Sequence, residues 1–137
     1  DDCTFWYTNE YLPSNGSFHW HTRISSFKFT NCGGPPPGPD FTISATPPSR
    51  SIVRGTSTTY NVLVGSVGGF NGVVTFSVTG LPASAMAIFK PTSVTGSGTS
   101  VMTVYTTRVT PRGTYPLTIS GTSGTLVHTT MVSLTVR

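Results

Sequence analysis

Residues 41–137 contain neither Asp nor Glu. Glycoside hydrolysis by paired carboxylates is therefore excluded from that stretch. The usual oxygen ligands for Ca²⁺ are missing as well. A Ser-His-Asp triad is excluded there too, because His128 is the one histidine and has no acid to orient it. It reads as an ordinary strand residue. Charge is scarce everywhere, 9% of the chain against roughly 25% in typical soluble domains. No run of 18 apolar residues exists, which excludes a membrane-spanning helix. No basic start precedes an apolar stretch, so a leader peptide is expected to have been removed or to lie upstream in a larger parent. Cysteine is limited to Cys3 and Cys32, with no C-x-x-C pair. With so much Thr and Ser, this usage predicts a secreted protein in an oxidising setting.

The few charges are unevenly placed. Residues 1–32 hold Asp1, Asp2 and Glu10 against Arg23 and Lys28, and Asp40 is the last acid. Beyond it stand only Arg50, Arg54, Lys90, Arg108, Arg112 and Arg137, giving the chain its net charge of +4. These six fall in separate turns, with no basic run and no stacking aromatics between them, so no nucleic-acid partner is expected. Their role is read as keeping a charge-poor surface soluble.

Short β-branched runs with turn residues between them fill residues 41–137. "FTISAT" (41–46), a short piece in 47–55, "STTYNVLVGSV" (57–67) and "VVTFSVTGLP" (73–82) come first. "MAIFKP" (86–91), "TSVMTVYTT" (99–107), "GTYPLTISG" (113–121) and "TLVHTTMVSLTV" (125–136) follow. Alternation puts Tyr60, Val62 and Val64 on one face, and likewise Val74, Phe76 and Val78, then Tyr115, Leu117 and Ile119, then Val132, Leu134 and Val136. Pro116 has no N–H for a ladder and is expected at an edge or bulge. No window shows a helical period. The fold class is all-β: a two-sheet sandwich of about seven strands.

The stretches "DFTISATPPSRSIVRGTSTTYNVLV", "GFNGVVTFSVTGLPASAMAIFKPTSVTGSGTSVMTVYTT" and "PRGTYPLTISGTSGTLVHTTMVSLTV" resemble, in that order, the bacterial Ig-like domains appended to large secreted proteins. The likeness covers residues 40–137 and rests on Gly69-Phe70-Asn71-Gly72, Gly80-Leu81-Pro82, Phe89, Pro91, Ser93-Val94 and Gly113-Thr114-Tyr115. It implies an Ig-like sandwich serving as a spacer, adhesive or accessory module, because that family shares no catalytic site.

The first 32 residues differ in character. "TFWYTNEY" and "FHWHTRISSFKF" flank "LPSNGS", a turn signal on Asn15-Gly16. The cysteines lie almost symmetrically about that turn, so residues 1–32 are expected to form an antiparallel hairpin stapled by Cys3 and Cys32. A staple of that loop length contributes about 3 kcal/mol in the chain-entropy picture. Pairing about residues 15–16, or with the cysteines opposed, sets Phe5, Tyr7 and Tyr11 with Phe18, Trp20 and Ile24. Trp6 then shares the other face with His19, His21, Phe27 and Phe29. Both faces are aromatic, and a two-stranded ribbon is marginal in water, so it must pack on something. "DDCTFWYTNEYL" with "WHTRISSFKF" is similar to the terminal strands of secreted bacterial proteins with sialidase-like repeat propellers. That likeness implies the tail of a larger precursor. "GGPPPGP" (33–39) then reads as a Gly/Pro linker, about 20 Å long in polyproline II form.

Three functional classes follow. The first is a non-catalytic extracellular module that docks or self-associates through Phe5, Trp6, Tyr7, Tyr11, Phe18, Trp20, Phe27 and Phe29. Its partners are other copies of itself or other domains of a parent protein, and the product is a fibre or oligomer. The second is a carbohydrate-binding accessory module of a secreted enzyme, its aromatics stacking on a polysaccharide. The third is the C-terminal fragment of a larger hydrolase. The first is preferred. His19 and His21 share a strand face but lack a third ligand, so no metal or other cofactor is expected. Asn15-Gly16-Ser17 fits the N-glycosylation sequon and is equally the hairpin turn.

Overall fold

The computed structural model describes the backbone of residues 4–11 and 21–28, and residues 38–137 in full. The chain divides into two compact units, Asp1–Pro37 and Gly38–Arg137.

In the first unit, β1 (Thr4–Tyr11) pairs with β2 (His21–Lys28) in antiparallel fashion, from Thr4 opposite Lys28 to Tyr11 opposite His21. The hairpin is as expected, but its register is not. Phe5 lies opposite Phe27 and Trp6 opposite Ser26, whereas a centre between residues 15 and 16 would have opposed Phe5 and Ser26. The stretch between the strands, 12–20, has an odd number of residues, so the pairing centres on residue 16 itself. A one-residue slip reverses the facing of every position. Phe5 and Tyr7 therefore align with Phe27 and Ser25, while Ile24 falls opposite Thr8.

The second unit is a sandwich of nine strands among the described residues. One sheet runs β3 (Asp40–Thr46), β5 (Ser57–Val67), β9 (Gly98–Thr106) and β7 (Ala85–Lys90). The other runs β4 (Ser49–Ile52), β11 (Leu126–Val136), β10 (Gly113–Ser123), β6 (Val73–Thr79) and β8 (Ser93–Thr95). The first order matches the A-B-E-D sheet of the immunoglobulin arrangement, and β11-β10-β6 matches its G-F-C sheet. Pro47 and Pro48 separate β3 from β4, and there the chain crosses from one sheet to the other. β4 then runs parallel to the end of β11.

The alternating rows supply the core. Tyr60, Val62, Met102, Val104, Leu117, Ile119, Val132, Leu134 and Val136 form one buried cluster. Phe41, Val64, Phe70 and Val74 form a second. Burying each such side chain stabilises the fold by about 1.5–3 kcal/mol. Phe76, Val78 and Tyr115 are half-buried and pack against these clusters. The Tyr60 hydroxyl crosses between the sheets and donates to the Ser133 carbonyl at 2.9 Å. That of Tyr115, at the start of β10, donates to the Pro111 carbonyl at 3.1 Å. This is the tyrosine corner that marks strand F of such sandwiches. Many outward positions carry hydroxyls in place of charge, as in the row Thr129–Ser120–Ser77 and the pair Thr122–Thr75.

Pro116 does not lie on an edge strand, since β10 has β11 on one side and β6 on the other. It is tolerated for a local reason. Ser133, its partner on β11, donates its N–H to Pro48 on the β4 side, so the pair is of the non-hydrogen-bonded kind. Pro116 therefore turns its missing donor toward β6, whose pairing with β10 stops at Thr79 opposite Thr118. Ladder bonds are not lost there.

Candidate functional site

Of the residues singled out for docking, Phe5, Trp6, Tyr7 and Tyr11 stand on β1 and Phe27 on β2. The ladder brings Phe5 opposite Phe27 and Tyr11 opposite His21. Phe18, Trp20, Phe29 and the two cysteines lie outside the described residues, as do His19 and the sequon at Asn15. Among the described residues β1 and β2 form a two-stranded sheet, so each has an open edge. Open edges present unpaired N–H and C=O groups, the elements of strand addition.

His128 is not without an acid. Its Nε2 lies 2.7 Å from Oδ1 of Asp40, one residue before the acid-free stretch. β3 and β11 come together at one side of the sandwich, which is why residues 88 positions apart meet. The same Oδ1 accepts the Phe41 N–H at 2.7 Å. The bond to His128, and then that from Phe41, holds the Asp40 carboxyl below its ordinary 3.8. The imidazole also meets the edge of the Phe41 ring, centroids 4.7 Å apart. Because β3 belongs to one sheet and β11 to the other, the pair forms a clasp between sheets. Sequence reasoning missed it by placing the acid just outside the segment it searched.

A second correction concerns the basic residues. Although they stand in separate turns of the sequence, Arg54, Arg108, Arg112 and Arg137 line one cavity. Spacing alone gave no sign of this; the topology brings the β4–β5 turn, the β9–β10 loop and the end of β11 to the same pole.

The outer face of the β3-β5-β9-β7 sheet also carries apolar groups. Met86 and Tyr105 lie opposite each other on β7 and β9, 61% and 43% exposed, and Leu63 on β5 is 53% exposed. Met86 and Tyr105 adjoin, whereas Leu63 pairs with Thr99, six residues along β5 from the partner of Tyr105, so these exposures are separate.

No protein-family model matches the chain, and no curated protein matches it. Solved structures do. Domains 4 and 5 of the S-layer protein SbsC share 20% identity at a TM-score of 0.54, over 85% of this chain and 58% of that one. The longer rSbsC polypeptide gives 22% identity and a TM-score of 0.54, over 85% of this chain and 15% of that one. WR4, an MSP family member of C. elegans, gives 13% identity and a TM-score of 0.52, over 70% and 98% of the two chains. At these identities the likeness is one of fold: an Ig-like sandwich. The chain spans little more than half of the two-domain SbsC fragment.

Proposed function

We propose that the protein is a non-catalytic, extracellular structural module that self-associates through its N-terminal aromatic ribbon, building a fibre or oligomer. The observation that carries this reading is the fold it shares with domains of a surface layer protein. The ribbon supplies the means. Residues 1–32 form the docking segment, stapled by Cys3 and Cys32. Residues 33–39 are the linker, and 40–137 the sandwich. β1 or β2 of one copy adds to an open sheet edge of the next, with Phe5, Trp6, Tyr7, Tyr11 and Phe27 as anchors. A contact of that head-to-tail kind gives open filaments when its rotation does not close. The resemblance of residues 1–32 to propeller-closing strands fits a module cut from, or attached to, a larger secreted parent.

Sedimentation velocity tests this reading. The full chain is expected to sediment as a concentration-dependent oligomer, and a chain lacking residues 1–32 as a monomer. Two monomers at high concentration would overturn it. A pull-down on insoluble polysaccharide would then decide whether the aromatics bind sugar.

A further inference from the structure

Val53, Arg54, Arg108, Arg112 and Arg137 line an open cavity of about 310 Å³ at one pole of the sandwich. That is the size at which small-ligand pockets begin. The loops that carry the four guanidiniums are fixed from beneath. Thr56 donates its N–H and its hydroxyl to the Val53 carbonyl, at 3.2 and 2.6 Å, closing the turn around Arg54. The Arg54 N–H donates to the Arg137 carbonyl at 3.1 Å, and the Arg137 N–H to that of Ile52 at 2.8 Å. Between Arg108 and Arg112, the fully buried Thr110 donates its hydroxyl to the Ser84 carbonyl at 3.1 Å. It also accepts the Thr107 N–H at 2.9 Å. The tyrosine corner at Pro111 braces the same loop. Gly55 leaves space for the Arg108 stem, whose Cγ would lie 3.2 Å from a Cβ at that position.

No acidic side chain of this unit lies beside the four guanidiniums. Asp40, its one acid, is held by His128 near the start of β11, roughly 30 Å of strand away from Arg137. A concavity lined by one sign of charge concentrates counter-ions. All four cations are arginines, whose planar forks grip paired oxygens as an ammonium cannot. A carboxylate offers two oxygens and satisfies one fork. A tetrahedral phosphate or sulfate offers three or four and can satisfy several. The cavity has no aromatic lining on which a base could stack.

We propose that this pole binds a compact oxoanion with two or more negative charges, of phosphate or sulfate chemistry, free or carried as esters on a polymer. The inference rests on residues 53–137 and is independent of self-association through the ribbon.

Isothermal titration calorimetry on the full chain at low ionic strength tests it, with inorganic sulfate, pyrophosphate and a sulfated oligosaccharide as probes. At least one is expected to bind. The R54Q/R112Q double variant is expected to lose at least about tenfold in affinity, a change of about 1.4 kcal/mol. Arg50→Gln, off the cavity, leaves affinity unchanged. The arginines are exposed, so an unchanged melting temperature will show that the fold is retained. Binding of pyrophosphate would assign the site to the free ion; binding of the oligosaccharide alone would assign it to esters on a polymer. The proposal is overturned if no probe binds or if Arg50→Gln weakens binding equally. A DNA duplex bound as tightly as the oligosaccharide, with the same dependence on Arg54 and Arg112, would overturn it too.

Discussion

Gly80 and Gly69 share a left-handed backbone, with φ of +87° and +77°, yet their surroundings differ. A Cβ on Gly80 would collide with the carbonyl oxygen of Pro116, a backbone atom that cannot swing aside, while nothing lies within 4 Å of one on Gly69. Gly69→Ala is therefore expected to cost only the conformational penalty, about 1 kcal/mol. Gly80→Ala adds a steric clash and is expected to cost about 3 kcal/mol or more. Urea denaturation of the two variants checks the ranking. The Asp40–His128 clasp makes a second prediction at this scale. Because the Asp40 carboxyl titrates below its ordinary 3.8 in the folded state, its contribution is complete above that value. It is lost as pH falls through the depressed folded value. Asp40→Asn should lower the melting temperature at pH 7 and flatten its decline below pH 4, with wild type and variant converging at the acid end. Parallel curves for the two proteins would refute the clasp.

At the scale of elements, much of the sandwich was legible because alternation and turn residues agree. "STTYNVLVGSV" marks β5 from end to end, and the inward rows Tyr60–Val62–Val64 and Val132–Leu134–Val136 are buried as expected. The short β8 was missed because three residues carry no period. Pro116 was put at an edge or bulge because sequence cannot show that β6 stops before reaching it. The ribbon register was misread because Asn15-Gly16 suggested a two-residue turn, and a one-residue error reverses every facing. The arginine pole and the His128 clasp could not be seen, since each depends on strands far apart in the chain. The observed register is also not the one that would set Cys3 opposite Cys32, so the staple rests on their spacing and the expected secreted setting. Thiol titration of the unfolded, unreduced protein is expected to find no free thiol, and two free thiols would remove the staple.

At the scale of the whole molecule, the two units differ in what holds them. Among the described residues both buried clusters draw on Phe41 to Val136, and β3 through β11 are paired with one another. The inter-sheet bond from Tyr60, the Thr110 anchor and the tyrosine corner also have both partners inside that span. A core of thirteen buried apolar side chains, each contributing about 1.5–3 kcal/mol, can offset the ordering of a domain of this size, although the net is small. The ribbon has two strands and open edges among the described residues, an arrangement that is marginal alone in water. Stability should therefore reside in the sandwich, and association in the ribbon. A 40–137 fragment is expected to unfold in one cooperative transition, within a few degrees of the full chain. A chain with Leu117→Ala should lose about 2–5 kcal/mol, because that side chain is fully buried between the sheets. Calorimetry of the fragment checks the first expectation. If it shows no transition, residues 1–39 complete the core, and the ribbon is then part of the fold instead of a segment free to join another copy.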